Sequence, residues 1–182
     1  KADPPSSFGE EVRSNSPISK SFDFPASSED VASGNKSYYT LSWPLEKVTD
    51  PVHVLTFTLI EIILLDHAAS PMRKALLDSG LGKAVSSSSG FEKSIRDTFF
   101  SLGLDEIKKE DSNKIEKVIL DTLEEVVSNS INQQDIDSAI HQIELSNLEV
   151  TGGGWPHGLN LLFRFYDSWM HGGDAVSSLS FT

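Results

Sequence analysis

At 182 residues, with 38% hydrophobic and 23% charged side chains, the chain has the size and balance of one globular domain with a core of its own. Fifteen Lys and Arg against 27 Asp and Glu give a formal charge of −12 and a pI near 4.7; this disfavours nucleic acid and anionic membrane surfaces, which reward cations placed against phosphate, and makes a cationic peptide the better electrostatic match. The absence of cysteine excludes disulfides, thiolate metal sites and a Cys nucleophile, and it leaves the compartment undetermined by redox reasoning.

The first residue is Lys rather than Met, which reads as a fragment or a processed product, and the opening residues show no apolar signal region. Residues 1–36 read as a linker or arm rich in Ser, Pro, Asp and Glu, with a possible short strand over 19–24, where Phe22 and Phe24 alternate with polar residues before Pro25. Residues 37–182 form the domain proper. Its first strand, Ser37 to Leu45, puts Tyr39, Leu41, Trp43 and Leu45 on one face and Tyr38, Thr40 and Ser42 on the other.

Asp50-Pro51 is a helix start, because Asp can cap free amides and Pro loses nothing at the first helical position. A helix from Pro51 to about His67 is expected to be buried at the centre of the domain, against a sheet containing Leu41, Trp43, Phe100 and Leu102. Its many β-branched residues leave a strand open as the alternative. The apolar run Val52 to Leu65, interrupted by His53 and Glu61, falls short of the ~20 residues that span a bilayer. Ser70-Pro71 repeats the start signal, and Gly80 and Gly82 stop the second helix. Lys83 to Ile107 reads as two strands joined near Ser89-Gly90, the second with Thr98, Phe100, Leu102 and Leu104 in alternation. Asp111 or Ser112 caps a third helix whose Ile115, Val118, Ile119, Thr122, Leu123, Val126 and Val127 recur at helical spacing. A fourth, from Asp135 to about Val150, turns Ile136, Ala139, Ile140 and Ile143 inward; Gly152-Gly-Gly154 breaks it. A fifth runs from Leu159 to Met170 and stops at Gly172-Gly173. This order predicts an α+β fold, with helices packed on one face of a mainly antiparallel sheet.

Several pieces stand in a fixed order: Ser70-Pro-Met-Arg-Lys-Ala-Leu-Leu-Asp-Ser-Gly-Leu81, Thr98-Phe-Phe-Ser-Leu-Gly-Leu-Asp-Glu-Ile107, Asp121-Thr-Leu-Glu-Glu-Val126 and Trp169-Met-His-Gly-Gly-Asp174. In this order, over about Ser37 to Gly173, the chain resembles the non-catalytic domains of the pitrilysin/insulinase-like zinc metallopeptidases, presequence-protease branch. The active domains of that family bind zinc through an inverted H-x-x-E-H on one helix turn, whose Glu activates water, plus an acidic ligand downstream. None of the five histidines meets the pattern. His53, His67, His157 and His171 lack a Glu and a second His at the required spacing, and His141-Gln-Ile-Glu144 is followed by Leu145 where the second His must stand. By order of elements, the helix through Glu61, Asp66 and His67 takes the place of the catalytic helix; separations of five, one and six do not put three ligands on one face.

Other signals are weaker. Gly152-Gly-Gly-Trp-Pro-His-Gly158 has no Gly-Lys-Ser/Thr ending and follows a helix, so it reads as a helix break and not a phosphate loop. Ser86 to Ser89 lack informatively spaced His and acid partners and read as a solvated strand end. Trp43, Trp155 and Trp169 read as core or rim residues. Catalytic and metal-binding residues are therefore expected to be absent, and the peptide contacts are undefined.

The resemblance implies that this chain alone is not an enzyme. It implies a longer parent, a zinc metalloendopeptidase degrading unfolded peptides such as targeting presequences. Zinc would sit in a preceding catalytic domain, and this domain would help wall the peptide chamber together with the other half of the same chain. The compartment would be the bacterial cytoplasm, or the mitochondrial matrix or plastid of a eukaryote. If the surplus acid lines a chamber for cationic peptides, Glu61, Glu92, Asp97 and Glu144 should share one concave face. A stand-alone protein-interaction module and a hydrolase with an unrecognised site are the rival readings.

Overall fold

The computed structural model describes residues 13–25, 37–148 and 156–174. Strand β1 (Ser37–Lys47) leads to helices α1 (Pro51–Leu65) and α2 (Pro71–Asp78). Then come β2 (Ala84–Val85), β3 (Gly90–Glu92) and β4 (Asp97–Ile107), a single 3-10 turn (Lys109–Asp111), and helices α3 (Ser112–Asn129), α4 (Gln133–Leu148) and α5 (His157–Met170). The long strand β4 is central. It pairs antiparallel with β1 on one side, Leu41 opposite Leu102 and Trp43 opposite Phe100. Its other side carries β3 and then β2, through Phe91 opposite Phe100 and Val85 opposite Leu104.

Period-2 patterning decides which way this sheet faces. Along β1, half-buried and exposed residues alternate without a break from Ser37 to Glu46, and Tyr39, Leu41, Trp43 and Leu45 pack on the core. Phe100, Leu102 and Leu104 of β4 join Leu64, Leu65, Met72, Leu76, Ile115 and Ile119 of the first three helices in one buried cluster. Helices thus cover one face of an antiparallel sheet, the expected α+β arrangement. Tyr39 reaches from this seam to α3, where its hydroxyl donates to Glu116 at 3.1 Å. Burial and that carboxylate push its phenol up to about 12.

The 51–65 segment is a helix, although Thr and Val favour strands in general. The Asp50 carboxylate accepts from the amides of Val52 and His53 at 3.0 and 3.1 Å. The Thr56 and Thr58 hydroxyls donate back to the Val52 and Val54 carbonyls, so these residues satisfy themselves within the helix. The helix ends at Leu65 rather than His67, and it is not buried along its length. Only Ile63, Leu64 and Leu65 are enclosed, and Val52 is exposed. An apolar stretch with no polar side needs cover all round, and only part of it lies against the sheet, α2 and α4.

Four further expectations change. Residues 19–24 form no strand. The join in the 83–107 region lies at 93–96, and what precedes it is two short strands separated by a turn, because serines stand in for ladder partners there. Ser89 Oγ accepts from the Gly103 amide at 3.0 Å, and the Ser86 amide donates to the Gly103 carbonyl at 2.9 Å. Ser70 and Asp111 precede helices without capping them: the Ser70 hydroxyl accepts from the His67 amide, and Asp111 takes the Lys114 ammonium at 2.7 Å. Val127 of α3 and Ile140 of α4 point outward, while Ala139 is the buried residue of α4. Gly152–Gly154 and Trp155 lie outside the described residues. None of the described helices is long and apolar enough to cross a membrane.

Candidate functional site

Groups capable of chemistry stand in three places: the α1 helix, the remaining histidines and serines, and the cleft at the open side of α1. On α1, Glu61 is half-buried and faces the start of β3. Gly90 has φ +129, which favours glycine, and a Cβ there would stand 2.3 Å from Glu61 Oε1 and push that carboxylate aside. Burial raises the Glu61 carboxyl above the ordinary range, while a hydrogen bond from the Phe91 amide and the nearby Lys93 oppose the rise. Asp66 lies one turn on, in solvent, and accepts from Gln142 Nε2 of α4 at 3.0 Å. His67 is exposed past the helix end. The three groups point to different partners: Glu61 to the start of β3, Asp66 to α4 and His67 to solvent.

The other histidines are equally dispersed. His53 packs in an aromatic cluster, 4.8 Å from the Phe57 ring and 6.0 Å from Phe91, with Nε2 at 3.2 Å from Thr98 Oγ1. His141 and Glu144 do meet, at 3.5 Å, but 71% and 65% exposed on the surface of α4. His157 opens α5, and His171 follows it with a buried Nε2 that has no hydrogen-bond partner among the described residues. Among the described residues no three His, Asp or Glu side chains group as metal ligands, so the donor set does not fit a catalytic zinc. Ser86, Ser88 and Ser89 bond to one another, to Thr40 and to the β4 backbone; these are strand-end contacts. Trp43 is half-buried on the core and Trp169 is exposed.

The acids expected to share a face are only partly together. Glu61 and Glu92 are close enough to act on each other's charge, and Lys93 acts on both. Asp97 is committed to Arg96 at 2.6 Å, and Glu144 to His141. A carboxylate that sequence reasoning missed, Asp167 of α5, joins the first two. Burial raises its carboxyl, Glu92 adds to the rise, and His171 and Lys93 oppose it. Asp167 lies in a half-open cleft of about 330 Å³ between α1, α4 and α5, with apolar walls from Val54, Leu55, Ile62 and Ile143 and with Lys93 on its border.

Comparison with known proteins identifies the fold. The sequence model of the peptidase M16 inactive domain matches residues 5–143. The chain belongs to this family. Among curated relatives of this M16 inactive domain, protein HypA of Clostridium perfringens is 33% identical over 156 residues, 86% of the chain and 16% of HypA. The mitochondrial presequence protease of Xenopus tropicalis is 31% identical over 179 residues, 97% of the chain and 17% of that protein. The chloroplastic/mitochondrial presequence protease 1 of Arabidopsis thaliana is 31% identical over 148 residues. The chain thus spans about a sixth of the length of these relatives. The crystal structure of the inactive peptidase domain of a protein described as a zinc protease from Bordetella parapertussis superimposes with a TM-score of 0.60 at 16% identity, covering 78% of the chain and 75% of that domain. This likeness carries the fold.

For an M16 inactive domain, Glu61 should be dispensable to chemistry. Its raised carboxyl means that the folded state disfavours the charge at neutral pH. Glutamine keeps an acceptor for the Phe91 amide and removes the charge. Glu61→Gln is therefore expected to leave the urea midpoint unchanged or higher at pH 7, with the gain shrinking as pH falls and Glu61 itself becomes protonated in the folded state. A lower midpoint at pH 7 would contradict the assigned role.

Proposed function

We propose that this chain is one wall of a peptide-enclosing chamber in a longer zinc peptidase of the presequence-protease kind, and that it carries no catalytic or metal-binding residue. The observation that bears most of this reading is the state of α1. By order of elements α1 would take the place of the family's catalytic helix; Asp50 caps its start and its last turn is buried, but Glu61 and Asp66 are turned to structural partners and His67 to solvent. The relatives' sixfold greater length supports the reading, since a chamber needs further domains. Zinc would be held by a preceding catalytic domain of the parent, which would polarise the scissile carbonyl and lower the pKa of water. This domain would contribute enclosure, admitting unfolded chains and excluding folded ones. Residues 1–36 would connect the two.

In the parent enzyme, an unfolded peptide carrying a benzophenone is expected to crosslink to residues of this domain, and a folded protein of similar charge should not compete. A parent that cleaves the peptide with all crosslinks elsewhere would remove the enclosing role. The stand-alone module loses support from the length of the relatives, and a reading frame confined to this segment would restore it.

A further inference from the structure

We propose that the cleft between α1, α4 and α5 is a subsite for one basic side chain of an unfolded peptide, its aliphatic stem against Val54, Leu55, Ile62 and Ile143 and its cationic head against Asp167. The inference deepens the chamber reading and rests on it for the source of the peptide, though not for the recognition chemistry.

Size comes first. A cleft of about 330 Å³ is at the small end of ligand pockets, which run from about 300 to 1,000 Å³; it suits a side chain and excludes a helix or a large cofactor. Shape and polarity come next. Four aliphatic walls with a carboxylate at one side match a Lys or Arg, whose methylenes lie on apolar surface while the head seeks a charge.

Charge then selects the sign of the ligand. Asp167 and Lys93 line the cleft, and Glu61 and Glu92 lie near enough to Lys93 to feel its charge, while His171 acts on Asp167 from the end of α5. Two of these carboxylates are already engaged: Glu61 takes the Phe91 amide, and Glu92 takes the amide and hydroxyl of Ser94. Asp167 alone, half-buried, has neither a hydrogen bond nor an ion pair among the described residues. Lys93 also borders the cleft, its Nζ 3.4 Å from the Thr58 hydroxyl on the α1 wall, and so leaves Asp167 without a direct hydrogen bond from it. A partly desolvated carboxylate without a partner is costly, and a charge-assisted hydrogen bond from a ligand cation relieves that cost. An anionic head would meet two surplus negative charges instead.

The test uses the full 182-residue chain with two capped tripeptides, acetyl-Ala-Lys-Ala-amide and its norleucine counterpart, titrated by amide NMR shifts. The lysine peptide should bind about tenfold more tightly, as a hydrogen bond to a charged group implies, and should shift the amides of Thr58, Ile62, Ile143 and Asp167. Asp167→Asn should abolish the preference while the spectrum stays dispersed. Ser146→Phe, placed on the exposed rim of the cleft on α4, should weaken both peptides and serves if Asp167→Asn does not fold. Equal affinities, tighter norleucine binding, or shifts confined to residues away from the cleft would each overturn the subsite. The crosslinking experiment separates the two readings: crosslinks in the parent without a lysine preference remove the subsite alone, and a lysine preference without crosslinks removes the chamber role alone.

Discussion

Replacing Gly103 with alanine is expected to destabilise the domain by about 3 kcal/mol, near the upper end of overpacking costs, read as a lower urea midpoint at unchanged slope. Gly103 sits in the middle of β4, opposite Thr40 of β1. A Cβ there would lie 2.1 Å from the Tyr39 carbonyl oxygen and 3.0 Å from the Thr40 Cα. Both are backbone atoms, so no side chain can rotate to make room. Nor can β4 shift sideways, because the Gly103 amide and carbonyl are held on the opposite edge by Ser89 and Ser86. Relief requires opening the β1–β4 pairing on which Leu41, Trp43, Phe100 and Leu102 depend. Gly80→Ala supplies the contrast. Gly80 has open space around it but φ +65, so its cost is only the left-handed strain of about 1 kcal/mol. Equal midpoints for the two variants would mean that β1 and β4 are farther apart than described.

Much of this arrangement was legible in the chain because it rests on local periodicity. The alternation around Tyr39, Leu41 and Trp43, the Asp50-Pro51 start and the Ile115–Ile119–Thr122 stripe each depend on neighbours within a turn or two. What was hidden depends on distant partners. The break between β2 and β3 arises because the Ser89 hydroxyl replaces a strand residue opposite Gly103. Ser70 and Asp111 look like caps, but each has a better-placed partner elsewhere, in the His67 amide and the Lys114 ammonium. Val127 fits the helical stripe of α3 yet stands in solvent, because the neighbouring elements do not extend over the last turn.

The site divides in the same way. The spacing of the histidines is a local property of the sequence, since zinc ligands on one helix obey a turn. The cleft is not, because its walls come from 54–62, 143–146 and 167, which no sequence window contains together. Asp167 in particular carries no local sign of its role. An acid in an amphipathic helix beside Tyr166 and Trp169 reads as a solvated face, and only the placement of α5 near Lys93 and Glu92 makes it a half-buried charge with no hydrogen-bond partner among the described residues.

The chain alone is expected to retain far less than one zinc after dialysis and to leave unfolded basic peptides intact. Hydrolytic zinc needs three ligands held rigidly with one open position, and a carboxylate near the bound water to take its proton. Here His53 is held in the ring cluster of Phe57 and Phe91, His67 faces solvent, Asp66 accepts from Gln142, and Glu61 bonds the Phe91 amide. The His141–Glu144 pair offers two ligands on exposed side chains and no third group among the described residues to close the shell. Carboxylates without imidazole partners prefer hard cations and hold them weakly. Converting Leu145 to His would complete the H-x-x-E-H spelling at 141–145, and it supplies the sharper form of the prediction. His141→Ala should change neither the residual metal content nor the stability beyond about 0.5 kcal/mol, as for other exposed positions, and Leu145→His should still yield no peptidase activity, because among the described residues no acidic third ligand joins His141 and Glu144 on that exposed face of α4. Stoichiometric zinc in the unaltered chain, lost in His141→Ala and accompanied by chelator-sensitive cleavage, would overturn the non-catalytic assignment.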